Sequence, residues 1–140
     1  MIANGPPIRL LPRLDDGNRF FWTAGAEGAL RFLRCDGCGQ YVHPPVPRCP
    51  YCLEATLAPA EVSGRGTVHS FTVNHQPWFP EADDYIVGLV TIAEQDDVRL
   101  TTNLVDCDPG EVTVGMEVEV TFEHSDDVWL PLFRPATGTL

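Results

Sequence analysis

The sequence contains no lysine, and its nine basic residues, all arginine, stand against twenty acidic residues, so the net charge is −11. The imbalance is concentrated in one half of the chain. Residues 1–66 carry seven arginines and six acids, whereas residues 67–140 carry two arginines and fourteen acids. A segment this acidic should repel phosphate backbones and anionic membranes. Any anion-binding site is therefore expected in the N-terminal half or near the cysteine motifs described below.

The sequence also lacks a long hydrophobic run. No apolar stretch approaches the roughly 20 residues that a membrane-spanning helix needs. Residues 1–14 contain two arginines but not the apolar segment of a secretory signal. With 44% hydrophobic residues, the composition is that of a globular protein. We therefore expect a cytoplasmic protein.

The sequence motifs of common enzyme classes are absent. There is no Gly-rich phosphate loop, no G-x-S-x-G elbow and no H-x-x-x-H pair. Cys107 lies between Asp106 and Asp108, which should raise its pKa and weaken it as a nucleophile. His69 and His75 have no Ser, Cys or carboxylate partner at catalytic spacing. We therefore predict no catalytic residue, and a stand-alone enzyme using Cys107 or a histidine is the alternative.

Two C-x-x-C pairs, separated by ten residues, are the strongest motif present; they comprise Cys35, Cys38, Cys49 and Cys52. Four thiolates at this spacing predict a closed tetrahedral metal site, with zinc favoured over a rubredoxin-type iron. Two disulfides are the alternative, although thiols stay reduced in the cytosol. Gly39 follows the first pair and suits a positive φ, whereas Leu53 holds the matching position of the second. The two turns are therefore predicted to be inequivalent.

The chain is predicted to be mainly β, in three parts. Residues 1–29 are a proline-rich arm and a short helix from Arg19 to about Ala26, and residues 30–56 are short strands around the metal. Residues 57–140 alternate between polar and apolar positions. This pattern predicts a five-stranded OB-fold barrel with strands at Arg65–His75, Tyr85–Glu94, Val98–Leu104, Glu117–Glu123 and Val128–Phe133. Pro131 in the last of these indicates an edge strand.

Two aromatic groups are candidates for a partner interface. Phe20, Phe21 and Trp22 are consecutive, so they cannot all face one side of a helix. At least one must pack elsewhere, either on the metal-binding part or on another protein. Trp78 and Phe79 lie between prolines, where stiffened aromatics suit either a binding contact or a cap over the open end of the barrel.

Several motifs together resemble the acyl-CoA-associated zinc-ribbon/OB-fold family, long filed as a domain of unknown function. The resemblance covers roughly residues 16–136. It is carried by Phe21-Trp22, Gly28-Ala29-Leu30, Arg34-Cys35-x-x-Cys38-Gly39, Pro44-Pro45, Cys49-Pro50-x-Cys52, Gly64-x-Gly66-Thr67-Val68-x-Ser70-Phe71-Thr72-Val73, Asn103-Leu104-Val105-x-Cys107-Asp108, Val114-Gly115-Met116-x-Val118-x-Val120 and Leu132-Phe133-Arg134-Pro135. It implies a helical N-terminus, a rubredoxin-like zinc ribbon with structural zinc, and an OB-fold barrel.

The resemblance also implies a function. Family members are non-catalytic subunits of thiolase-fold enzymes that act on acyl-CoA, including thiolases, hydroxymethylglutaryl-CoA synthases and the retro-aldolases of steroid side-chain degradation. We therefore expect a hetero-oligomer with an aldolase, thiolase or acyltransferase in steroid or lipid metabolism. Acyl-CoA is a possible ligand, and its phosphates would be met by arginines near the metal, namely Arg31, Arg34, Arg48 and Arg65.

A single-stranded nucleic-acid-binding protein is the alternative function, because zinc ribbons and OB folds often bind nucleic acid. Neutralising several phosphates requires several cations on the binding face. Residues 67–140, which make up most of the predicted barrel, offer only Arg99 and Arg134. We therefore expect no nucleic-acid partner.

Overall fold

The N-terminal helix is short because glycine ends it early. The structure, a computed structural model, describes residues 9–76 and 83–136. Helix α1 (Arg19–Thr23) continues as a 3-10 turn (Ala24–Glu27). That turn ends at Gly28, whose φ of 73° is in the left-handed region that glycine adopts without strain. This agrees with the helix predicted from Arg19 to about Ala26.

Three short strands form the sheet of the metal-binding part, which we call the ribbon. Strands β1 (Leu30–Cys35), β2 (Tyr41–Val42) and β3 (Leu57–Val62) pair in the order β2-β1-β3, with both pairs antiparallel. Strand β3 lies beyond residue 56, where the ribbon was predicted to end, and all six of its residues pair with β1. The ribbon sheet is therefore larger than the segment between the cysteine pairs.

Five strands form the closed barrel predicted from the alternating pattern, and this confirms the fold class. They are paired in the order β4-β5-β6-β8-β7, with β7 pairing back onto β4. Their bounds are β4 (Arg65–Asn74), β5 (Tyr85–Ile92), β6 (Arg99–Leu104), β7 (Glu117–Ser125) and β8 (Val128–Pro135). A 3-10 turn, Pro109–Glu111, lies between β6 and β7.

Barrel and ribbon share one hydrophobic core. Phe133, Val68 and Val90 from the barrel are fully buried and cluster with Leu30 and Phe32 from the base of the ribbon. A second, smaller cluster lies inside the ribbon around Leu33, Val42, Cys35 and Cys49. The base of the ribbon is therefore held by the barrel core, whereas the metal-binding end has only a small hydrophobic cluster of its own.

Strand β8 is not an edge strand, so the prediction from Pro131 was wrong. The barrel places β8 between β6 and β7. Pro131 is tolerated because the parallel β6–β8 ladder pairs only Leu104 with Phe133. Beside Pro131 the hydroxyl of Thr102, which is itself buried, donates to the Pro131 carbonyl at 2.9 Å. A side-chain hydrogen bond thus joins β6 to β8 beside the position where proline has no N–H to donate.

The N-terminal arm is attached to the outside of the barrel. Arg9 Nε donates to the Glu123 carboxylate at 2.9 Å, and its Nη1 donates to the Asn103 side chain. Leu14 packs against buried residues of β8, including Val128 and Leu130. The N-terminal arm therefore covers the outer face of β8, and the shared core covers its inner face.

Gly66 leaves room for the neighbouring strand, and we expect Gly66→Ala to destabilise the barrel. A Cβ at this position would lie 2.5 Å from the Thr91 carbonyl oxygen and 2.7 Å from a Val90 methyl carbon. Overpacking of this kind costs about 1–3 kcal/mol, which urea unfolding would measure. Gly110→Ala is the matched control, because a Cβ there meets nothing within 4 Å. Equal stability of the two variants would contradict the expected clash.

Candidate metal centre

The four cysteines of the two C-x-x-C pairs come together at the end of the ribbon. Their Sγ atoms all lie within 4.8 Å of one another, and they form the one group of this kind found among residues 9–76 and 83–136. The Cys35–Cys52 and Cys38–Cys49 sulfur pairs are 3.5 and 3.6 Å apart. Sulfurs bound tetrahedrally at about 2.3 Å from one ion would be separated by roughly 3.8 Å. The spacing therefore fits a single four-thiolate metal site.

Both turns that carry the sulfurs have the same backbone pattern. In the first knuckle, residues 35–39, the Gly39 N–H donates to the Cys35 carbonyl at 2.8 Å. In the second knuckle, residues 49–53, the Leu53 N–H donates to the Cys49 carbonyl at the same distance. Gly39 has φ 78° and Leu53 has φ 68°. The predicted inequivalence was therefore wrong: Leu53 adopts the left-handed conformation despite its Cβ.

An arginine supports each knuckle in the same way, which the sequence reasoning missed. Arg34 Nε donates to the Gly39 carbonyl and Arg48 Nη1 donates to the Leu53 carbonyl, both at 3.0 Å. Each arginine directly precedes the first cysteine of its pair, so the repeated R-C-x-x-C pattern was the available signal. These bonds satisfy the carbonyl that the left-handed residue turns outward, and they place a positive charge beside a thiolate site.

Thr56 is a second contributor that the sequence did not reveal. Its hydroxyl lies 3.2 Å from Cys35 Sγ, and Cys35 is buried. Hydrogen bonds from Thr56 and from the Cys38 backbone lower the pKa of Cys35 to about 6. Thr56 therefore stabilises the thiolate, which is the form that binds a metal ion.

His43 lies in the core rather than among the sulfurs. Its ring is 5.1 Å from the Phe21 ring and 4.9 Å from the Phe32 ring, measured between centroids. Burial among these rings lowers the pKa of His43 to about 4, so the imidazole is neutral at pH 7. The four-sulfur group does not include it.

The structure divides the aromatic candidates for a partner interface. Phe21 is 3% exposed and belongs to the shared core, which favours the alternative of packing within this chain for this residue. Trp22 contacts Phe21 edge-on at 4.8 Å and, like Phe20, is partly buried against the core. The helix directs these rings inward because the adjoining 3-10 turn packs tightly on β7 and β8. Trp78 and Phe79 lie outside the described residues.

The four arginines proposed for phosphate binding already have contacts. Arg31 pairs with Glu27 at 2.9 Å and Arg65 with Glu119 at 3.8 Å, whereas Arg34 and Arg48 support the knuckles. Arg31 and Arg34 are three positions apart in β1, so their side chains leave opposite faces of the strand. A single acyl-CoA molecule would therefore contact only some of these four arginines.

Among residues 9–76 and 83–136, neither Cys107 nor the His75–Asp84 pair forms an enclosed catalytic site. Burial and the carboxylates of Glu111, Asp108 and Asp106 raise the pKa of Cys107, as the flanking acids had predicted. His75 does have a carboxylate partner, since its Nδ1 lies 2.7 Å from Asp84, and this corrects the sequence reading. Both side chains of that pair are exposed, by 73% and 53%, so the pair lies in water rather than in a cleft.

Two family models together match most of the chain. Residues 22–58 match the ChsH2 rubredoxin-like zinc ribbon domain, and residues 60–123 match the ChsH2 C-terminal OB-fold domain. Across the described ranges no helix has the length and apolar character required to cross a membrane.

Two of the relatives are described as hydratase alpha subunits. A probable enoyl-CoA hydratase alpha subunit of Thermomonospora curvata is 36% identical over 131 residues, which are 92% of this chain and 40% of that protein. The 3-oxo-4,17-pregnadiene-20-carboxyl-CoA hydratase alpha subunit of Mycobacterium tuberculosis is 32% identical over 93% of this chain and 41% of that protein. The chain therefore spans about two fifths of the length of these relatives.

One chain of a solved structure is matched along the whole of its length. The structure is described as an Ltp2-ChsH2(DUF35) aldolase, and the matched chain superposes with a TM-score of 0.81 at 36% identity. The match covers 91% of this chain and 100% of that one.

Proposed function

Because this chain belongs to the ChsH2 (DUF35) family of zinc-ribbon and OB-fold proteins, we propose that it is a non-catalytic accessory subunit of an enzyme acting on acyl-CoA. The observation that carries the proposal is the match of 91% of this chain to one whole chain of the structure described as an Ltp2-ChsH2(DUF35) aldolase. The hydratase alpha subunits are more than twice as long. Their activity need not reside in the segment that resembles this chain.

The proposed partner is a thiolase-fold aldolase, thiolase or acyltransferase. Such an enzyme would supply the reactive Cys, His or Tyr, for which the described residues of this chain hold no enclosed counterpart. This subunit would order loops around the partner's active site and contribute to the entrance for acyl-CoA. The steroid compound in the name of one relative supports a place in steroid or lipid degradation.

The proposed metal is zinc, held by Cys35, Cys38, Cys49 and Cys52. Four protein thiolates complete its coordination, so the ion has a structural role and offers no position to substrate. Thr56, Arg34 and Arg48 would stabilise the charge on the sulfurs and the turns that carry them.

Co-expression with a thiolase-fold enzyme encoded in the same genome tests the function. We expect a stable complex on affinity purification and size exclusion, with the enzyme poorly soluble or inactive when produced alone. The control is the same enzyme co-expressed with an unrelated OB-fold protein. Full activity of the enzyme alone, without co-purification of this chain, would show that the accessory role is wrong.

We expect no nucleic-acid binding. Arg134 is held by Glu119 at 3.1 Å and Arg65 lies 3.8 Å from the same carboxylate group, so part of the small positive charge on the barrel is neutralised. Titration of a mixed-sequence single strand at moderate salt should show no binding in the micromolar range. Salt-sensitive binding below about 1 μM would instead favour the nucleic-acid alternative.

A further inference from the structure

One turn of the barrel contacts the ribbon at two places and the connection that follows β3 at a third. The turn joins β5 to β6 and spans residues 93–98. The Glu94 carboxylate accepts a hydrogen bond from the Ser63 N–H at 2.7 Å, and the Asp97 carboxylate accepts one from the Tyr51 hydroxyl at 2.8 Å. Between them, the Gln95 side chain bonds the backbone of Tyr41. We call Glu94, Gln95 and Asp97 the clasp.

The side-chain amide of Gln95 pairs with the edge of the ribbon sheet in the way that the backbone of another strand would. Its amide oxygen accepts the Tyr41 N–H at 2.8 Å, and its amide nitrogen donates to the Tyr41 carbonyl at 3.1 Å. Strand β2, which contains Tyr41, is the edge of that sheet, so these backbone groups have no neighbouring strand. The same amide nitrogen also donates to Asp97 at 2.8 Å, which orients both clasp side chains.

The second knuckle depends on contacts with the barrel more than the first knuckle does. The first knuckle follows β1 directly, and the Asp36 N–H bonds the Thr56 carbonyl beside β3. Residues 49–53 lie in the connection between β2 and β3 and belong to no strand. Tyr51, in the middle of this knuckle, is nearly half exposed, and its hydroxyl bonds Asp97 of the barrel.

We propose that the clasp fixes the second knuckle against the barrel, and that it couples retention of the metal in the ribbon to the fold of the barrel. The base of the ribbon is already held in the shared core, so the clasp supplies the second point of attachment. Two attachments prevent rotation of the ribbon about its base. Opening of the clasp would let Cys49 and Cys52 separate from the other two sulfurs.

Gln95→Ala tests the proposal by two measurements on the purified, metal-loaded chain. Hydrogen exchange read by mass spectrometry should be about tenfold faster at the Tyr41 amide, because the variant removes its acceptor. Transfer of zinc to a chromogenic chelator should also be about tenfold faster, because the second knuckle opens more often. Tyr51→Phe should accelerate zinc transfer without changing exchange at Tyr41.

Asp96→Asn is the matched control, since Asp96 lies in the same turn but makes none of the three clasp contacts. We expect it to leave both rates within twofold of the unmodified protein. Unchanged rates in Gln95→Ala, or equal acceleration in Asp96→Asn, would overturn the proposal. Only the zinc measurement rests on the proposed metal, so the exchange measurement tests the clasp even if the ribbon holds iron.

Discussion

Cys38→Ser should abolish metal binding and unfold the ribbon while the barrel remains folded. Structural zinc supplies on the order of 10 kcal/mol to small domains, and serine cannot replace the missing thiolate. Cys38 is exposed, so the substitution removes a ligand without removing core packing. Apart from the clasp, the metal-binding end of the ribbon has little else to hold it, because β2 is two residues long and the inner cluster contains four buried residues, two of them cysteines.

The barrel should survive because most of its core does not involve the metal. Val68, Val90, Val118 and Phe133 are buried between its own strands. It should nevertheless lose stability, since Leu30 and Phe32 enter the same core from β1. Site-resolved hydrogen exchange should show rapid exchange over residues 35–57, around the metal, and retained protection in β4 to β8.

Elemental analysis of freshly purified, reduced protein supplies the direct measurement. We expect one zinc per chain in the unmodified protein, none in Cys38→Ser, and one in Cys107→Ser, because Cys107 lies outside the four-sulfur group. Iron in place of zinc would identify the alternative metal. The absence of any metal from the unmodified protein would disprove the predicted site.

The metal site could be predicted from sequence because its ligands are local and chemically distinctive. Two C-x-x-C pairs ten residues apart fix four sulfurs with few alternatives. The groups that stabilise them are less evident. Thr56 reaches Cys35 from 21 positions away, and its hydroxyl carries no signal in the sequence. Arg34 and Arg48 were recognised as positive charges, but their role depends on carbonyl directions that only the folded backbone defines.

The barrel could be predicted because alternating residues report which face of a strand is buried. They do not report strand order, and this explains the error at Pro131. A proline in a strand indicates a missing hydrogen bond, and the usual solution is an edge. Here the strand lies inside a closed barrel, and Thr102, 29 positions away, joins it by donating its hydroxyl to the Pro131 carbonyl. The His75–Asp84 pair was missed for a similar reason, since the hairpin of β4 and β5 brings the two residues together.

Trp78→Ala should weaken the complex with the partner enzyme, whereas Trp22→Ala should weaken the fold of this chain. The sequence offered both tryptophans as interface residues. Trp22 packs against Phe21 and against the buried residues of β8, so its loss should cost about 3 kcal/mol of unfolding free energy. For Trp22 the expected effect is therefore a lower melting temperature.

Trp78 is the sharper test of the interface because prolines stiffen the sequence around it and aromatic anchors dominate binding energies. Loss of such an anchor costs 2 kcal/mol or more, which is about a 30-fold rise in the dissociation constant. Calorimetric titration with the thiolase-like partner would measure it, and thermal unfolding and zinc content would show whether the isolated subunit is intact. We expect Trp78→Ala to retain both. If Trp78→Ala binds the partner normally, the proposed contact is wrong. If it unfolds like Trp22→Ala, Trp78 instead packs on the barrel of its own chain, which is the alternative interpretation of the sequence.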